Sequence, residues 1–245
     1  MGRYRNPDEY LLRYGYLSQL AEGYTSDDVA RALISFQSFF RLSKTGEFGG
    51  ETERVMDQAR CAMPDDSDRG KAILTKCPQQ TGGTPLKFAI IQGSASVPDD
   101  QAFAAIRAAV QTWSVPGQVP NGPTFQEVSP SSDPDIVIGW VQTDTDLGFT
   151  AGDYAHADFP PNCHASFTHP PPSPLHLNDR DFTWSVAPTP GDADVQSVVL
   201  HEFGHLLGMS HSSNPNSVMS PILLLGDQKL VLTDDDLQAL LALYP

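Results

Sequence analysis

Between Leu200 and Ser212 the chain reads LHEFGHLLGMSHS, and no other stretch restricts the fold as tightly. His201 and His205 are four residues apart, so on an α-helix both imidazoles leave the same face and can share one metal ion. Glu202 adjoins the first histidine at a spacing that does not suit a further ligand, which frees its carboxylate to work on a water molecule at the metal. Gly208 can take the left-handed backbone conformation that ends a helix, so the chain can turn there and bring His211 back as a third nitrogen. Three protein ligands with the fourth position open is the arrangement of a catalytic zinc, not a structural one. An ordinary amphipathic helix accounts for one histidine, but poorly for five fixed positions at this spacing.

The pattern HExxHxxGxxH followed by a methionine resembles the metzincin metallopeptidases, with Ser217-Val218-Met219-Ser220-Pro221 in the place of their Met-turn. Within that clan the chain is most similar to the matrixins, or matrix metalloproteinases, because of what lies upstream. Residues 7–20, 26–42 and 50–60 read as three short helices. In the second, Ser26 and Asp27 are N-cap candidates, and Val29, Leu33, Ile34 and Phe36 recur at helical spacing. Thr45-Gly46 interrupts the pattern before the third. This layout is similar to the matrixin propeptide and to the related peptidoglycan-binding modules.

Arg60-Cys61-Ala62-Met63-Pro64-Asp65 follows and resembles the matrixin cysteine switch, PRCGxPD. The resemblance implies that Cys61 supplies a thiolate to the zinc's open position while Arg60 and Asp65 pair to hold the loop; a soft thiolate is a good zinc ligand. Ala59 stands where the family has proline and Ala62 where it has glycine, which places a methyl group where close backbone passage is expected.

The expected fold is α+β: a metzincin-like catalytic domain, with a twisted mixed sheet and an active-site helix, preceded by a small three-helix propeptide. Residues 1–65 are assigned to the propeptide, 66–85 to a polar linker and activation region containing Arg69 and Lys71, and 86–245 to the catalytic domain. Strands are predicted at 86–92, 124–128 and 135–140, a well-capped amphipathic helix at 99–113, an active-site helix starting at the Asp192–Asp194 caps, and a final capped helix at 233–244. The resemblance runs from Tyr10 to Pro245, and with no haemopexin-like repeat after it the chain looks like a minimal matrixin.

Further site residues follow from the resemblance alone. His156 and His176 fall on two ligands of the family's structural zinc. The earlier His-Gly-Asp pair is missing, and Asp144, Asp146, His164 and His169 remain open as substitutes. Asn178 and Asp181 fall on positions that supply calcium oxygens, one carboxylate having become an amide, a change expected to weaken such a site. Met219 forms a hydrophobic base beneath the metal without coordinating it, and Pro221 and Leu223 wall the pocket for the residue after the cut bond. Of Asp235 and Asp236, one receives the new amino terminus after activation. Substrate is expected as an added strand near Ala155–Asp158.

Charge and cysteine content bound the partners. Residues 1–76 carry 11 basic and 12 acidic side chains, and residues 77–245 carry 4 and 18, within a net charge of −15. So acidic a second half argues against nucleic acid and anionic membranes. No apolar run is long enough to span a bilayer, and the amino terminus lacks a signal-peptide core, so secretion is expected with the signal absent from this sequence. Of three cysteines, Cys61 has a role of its own, which leaves Cys77 and Cys163 as candidates for a disulfide. The expected protein is a secreted, monomeric zinc endopeptidase zymogen acting on proteins or peptides after cleavage by an activating protease. The alternatives are a wall-binding module whose zinc half is incidental, and a non-proteolytic zinc scaffold.

Overall fold

A computed structural model describes residues 6–18, 23–65, 83–160 and 170–245. Cys77, Cys163, His164, His169, Arg69 and Lys71 lie outside the described residues, and with them the candidate disulfide and most of the linker.

The amino-terminal elements are α1 (Asp8–Arg13), α2 (Ser26–Phe39) and α3 (Gly50–Met56). The α2 cap is Thr25, not Ser26 or Asp27: its side chain accepts from Asp28 N while Asp28 reaches back to Thr25 N, a reciprocal box that satisfies two otherwise orphaned donors. Tyr10, Leu11, Tyr14, Leu33, Phe36, Phe39 and Met56 form a small core of their own. Several of its aromatic pairs are edge-on, Tyr10 and Phe36 at 5.5 Å and 89° among them, and Tyr10–Tyr14 and Phe36–Phe40 are tilted.

The rest of the chain builds one six-stranded sheet against two helices. In chain order come β1 (Arg60–Cys61), β2 (Leu86–Gln92), α4 (Asp99–Thr112), β3 (Phe125–Glu127), β4 (Ile136–Val141), β5 (Asp153–Ala157) and β6 (Ser173–Asn178). A two-stranded pair, β7 (Trp184–Ser185) and β8 (Ala193–Asp194), leads into α5 (Val195–Leu206), and α6 (Asp234–Leu243) closes the chain. The sheet order is β1-β5-β6-β4-β2-β3, and only the β5–β6 pair is antiparallel. Parallel neighbours need a crossover, and α4 supplies one between β2 and β3. It packs against α5, and Trp113 just beyond it donates its indole N–H to Leu200 O at 2.9 Å. Contrary to the capping expected from sequence, Pro98 precedes α4 and gives no side-chain cap; Asp99 and Asp100 instead place negative charge at the positive end of the helix.

Candidate metal centre

The metal-binding pattern is assembled on α5 and the loop after it. Asp194 caps α5 by accepting from Ser197 N, and every residue from Val198 to Leu206 is buried. At the far end Gly208 has φ 100°, a conformation open to glycine, and the chain turns through Gly208 N–H to His205 O at 2.8 Å. That turn returns His211 to the helix. Nε2 of His211 lies 3.2 Å from Nε2 of His205, and Cys61 Sγ lies 3.5 Å from the same His205 atom. Cys61, His201, His205 and His211 each direct one ligand atom into a common space, all four atoms within 4.8 Å of one another.

The opposite ring nitrogens explain why these atoms face inward. His201 Nδ1 meets Val218 O at 2.7 Å, His205 Nδ1 meets Met209 O at 2.7 Å, and His211 Nδ1 meets Asp65 Oδ1 at 2.6 Å. A carbonyl or carboxylate can only accept, so each Nδ1 carries the proton and each Nε2 presents a lone pair. Burial lowers the pKa of all three imidazoles and keeps them neutral. Buried lone pairs converging on one point repel unless a cation stands between them, and His201 Nε2 has no hydrogen-bond partner. The donor set therefore fits zinc, with three imidazoles and a thiol oriented from behind by fixed acceptors. Burial, then Glu202, pushes the Cys61 thiol up, a cost that a metal cation reverses by deprotonating it.

Glu202 is fully buried, and neither carboxylate oxygen has a hydrogen bond of proper geometry. Burial raises its pKa to about 8, against smaller opposing effects from the Cys61 thiol and the Ala157 backbone. Such a group is expensive unless the site uses it.

Beneath the histidines, Met219 is buried and approaches Gly204 so closely that a Cβ there would lie 2.3 Å from its sulfur. Gly204 thus makes room for the methionine, a role that spacing alone did not reveal. The Met219 turn is anchored by Asp236, which accepts from Ser217 Oγ at 2.5 Å and Val218 N at 3.2 Å. Asp235 instead accepts from Asn214 Nδ2 at 2.8 Å.

The switch segment fills the cleft between the sheet edge and the chain after Met219. β1 runs parallel to β5, with Arg60 opposite Asp153 and Cys61 opposite Ala155. On its other side Cys61 N donates to Pro221 O at 2.9 Å, and Tyr154 Oη donates to the same oxygen at 3.0 Å. Leu223 is buried in the core nearby. Ala62 is buried with its N–H on Ala155 O at 2.8 Å, and its φ is not in the left-handed region, so the backbone does not require the glycine of the family pattern. Arg60 and Asp65 form a buried two-point pair, at 2.7 and 3.1 Å. Three tyrosines of the amino-terminal unit enclose it: Tyr10 Oη accepts from Arg60, the Tyr14 ring lies 3.7 Å from the guanidinium, and Tyr16 Oη donates to Asp65 at 2.7 Å. Arg60 and, through its hydrogen bonds, His211 hold Asp65 ionised well below the usual carboxylate range despite burial. Nothing in the sequence tied these tyrosines to the switch.

A second cluster brings together Asp144, Asp146, His156 and His176, again with ligand atoms within 4.8 Å of one another. Of the four open substitutes, Asp144 and Asp146 lie beside the two histidines, while His164 and His169 fall outside the described residues. Asp144 is fixed by backbone N–H groups of Asp146, Leu147 and Gly148, and His176 Nδ1 lies 3.1 Å from its Oδ1. His156 Nε2 is 3.1 Å from Asp144 Oδ2 but not aligned for a hydrogen bond, which suits a shared cation.

At the positions expected to supply calcium oxygens, Asn178 Nδ2 donates to Asp153 O at 2.8 Å and to Asp181 Oδ2 at 3.0 Å, and the Arg180 guanidinium grips Asp181 and donates to Phe149 O. In this arrangement the Asp181 carboxylate is held by an amide and a guanidinium.

Comparison with known proteins agrees with this geometry. The family model described as Matrixin matches residues 80–245. The chain belongs to the matrixin family. A peptidoglycan binding domain model matches residues 6–56. Similar relatives include matrix metalloproteinase-25 of Mus musculus, 29% identical over 89% of this chain and 38% of its own length. Interstitial collagenase of Equus caballus is 31% identical over 88% of this chain and 43% of its own, and metalloendoproteinase 5-MMP of Arabidopsis thaliana 27% over 96% and 69%. The chain thus spans less than half the length of the mammalian relatives named here. Among the described residues, no helix of this matrixin is long and apolar enough to cross a membrane.

Proposed function

We propose that this matrixin is a zinc-dependent endopeptidase held latent by Cys61. The observation that carries the reading is the convergence of Cys61 Sγ with three inward Nε2 atoms beside an unpartnered, buried Glu202. His201, His205 and His211 hold zinc in the working enzyme, and Cys61 takes the remaining position in the latent one. Zinc supplies Lewis acidity, acidifying a water and polarising the scissile carbonyl. Glu202 accepts a proton from the attacking water and delivers it to the leaving amine. Met219 supports the histidines from below, and Pro221 and Leu223 wall the pocket for the residue after the cut bond.

Substrate adds to the free edge of β5 once β1 has left, with main-chain hydrogen bonds fixing its register. Residues 1–65 act as the inhibitory unit, 66–85 as the region where an activating protease cuts, and 86–245 as the catalytic domain. The protein works as a secreted monomer on protein or peptide substrates. Asp144, Asp146, His156 and His176 hold a second, structural zinc.

Casein or gelatin cleavage, measured before and after limited proteolysis and with and without a zinc chelator, tests this. Activity that appears on proteolysis and disappears with chelator is expected; activity indifferent to both contradicts it. The peptidoglycan-binding match favours a second reading, in which the amino-terminal helices bind cell wall. Retention of the full-length protein on purified wall material would support it.

A further inference from the structure

Asp153 opens β5, and its carboxylate is fully buried where the amino-terminal helices meet the catalytic half. Oδ2 accepts from Thr150 N at 2.8 Å and Thr150 Oγ1 at 2.9 Å, both on the catalytic side. Its other partners arrive from α1 and the residue after it: Arg13 Nη2 pairs with Oδ2, and Tyr14 Oη donates to Oδ1. Arg13 Nη2 also donates to Gly148 O at 2.8 Å. A carbonyl and a carboxylate of the catalytic half thus converge on a single cationic nitrogen, Arg13 Nη2, which belongs to the inhibitory unit.

The acceptor lies at the start of β5, beside the switch strand. Asp153 faces Arg60 in the β1–β5 ladder, and its neighbour Tyr154 bonds Pro221 O, part of the wall assigned to the residue after the cut bond. When residues 1–65 leave, Thr150 stays but the cation and the tyrosine hydroxyl go. Few replacements exist locally. Of the four basic residues among the described residues of the catalytic domain, Arg107 is paired with Glu127, Lys87 reaches Asp133, and Lys229 donates to Ser217 O and Ile222 O. Arg180 senses Asp153 but is engaged by Asp181 and Phe149 O.

We propose that Gly148, Thr150 and Asp153 form a recess for an arginine or lysine side chain of the peptide substrate, among the residues that follow the cut bond, and that Arg13 fills it in the latent protein. This rests on the endopeptidase reading. An acid whose counter-ion departs on activation needs a new one, and a substrate cation supplies it at the moment of binding.

The test uses the zinc-loaded full chain, activated by limited proteolysis, on a peptide library randomised at the three positions after the cut bond. Wild type should favour Arg and Lys over Glu at one of those positions by about ten-fold or more in kcat/KM, a size typical of one partly buried ion pair. Raising salt should shrink the ratio, and Asp153→Asn should reduce it to within about three-fold. The wild-type ratio is informative even if that variant folds poorly. Equal cleavage of Arg and Glu peptides by wild type, or a ratio that survives Asp153→Asn, overturns the recess alone. Absence of any chelator-sensitive cleavage overturns the endopeptidase reading, and the recess as a substrate site with it.

Discussion

In the cluster at Cys61, His201, His205 and His211, three neutral imidazoles and a thiol converge, and each imidazole is held from behind by an oxygen outside the group. In the cluster at Asp144, Asp146, His156 and His176, the carboxylates belong to the group itself and lie directly against the imidazoles. The first set is soft, and one of its members, the thiol, arrives on a separate segment, β1. The second is harder, and all four of its members lie on the catalytic side. Only the first has an unclaimed carboxylate beside it. In the proposed reading, reactivity follows from a removable ligand and a neighbouring base, not from ligand count.

The difference can be attacked at several points. Glu202→Ala should retain zinc and lower peptide cleavage by about two or more orders of magnitude, as loss of a general base does. Metal analysis showing full zinc alongside undiminished cleavage would remove Glu202 from its role. Cys61→Ser offers a harder, weaker ligand, so this variant should show activity without an activator at least about ten-fold above wild type. Equal latency would mean that the amino-terminal unit inhibits by steric cover alone.

Asp65→Asn acts on the same switch from its other side, because the amide keeps one acceptor oxygen but loses the charge that pairs with buried Arg60 and turns N–H groups towards Arg60 and Tyr16. Faster activation by about ten-fold is expected; unchanged activation kinetics would argue that the tyrosine enclosure alone holds the loop. At the second cluster, His156→Ala combined with His176→Ala should lower zinc content from two per chain to one. The melting temperature should fall by about 5 °C while cleavage of a short peptide changes by less than about three-fold. Loss of the catalytic zinc in that double variant would show that the clusters are not independent.

The first cluster was legible because its three histidines lie within eleven residues of one helix and its turn, where spacing fixes geometry. Cys61 was legible only through resemblance, and no local rule foretold that its segment would become β1 beside β5. The second cluster was half legible: His156 and His176 sit on neighbouring strands, while Asp144 and Asp146 come from an irregular loop with no periodicity to read. The strand at 86–92 was legible as a short apolar run, LKFAIIQ. Ser26 and Asp27 offer side chains as suitable as that of Thr25, so the sequence alone does not single out the α2 cap. The tyrosine enclosure of Arg60 and the Asp153 recess were invisible, since both join residues 46 to 140 positions apart.

The most direct test of a thiol-blocked metal centre is X-ray absorption at the zinc edge on the full-length, unactivated protein, with His156→Ala and His176→Ala to leave one zinc. A first coordination sphere of one sulfur and three nitrogens, with the sulfur lost on limited proteolysis, is the expected result. A sulfur-free sphere in the unactivated protein would contradict the account.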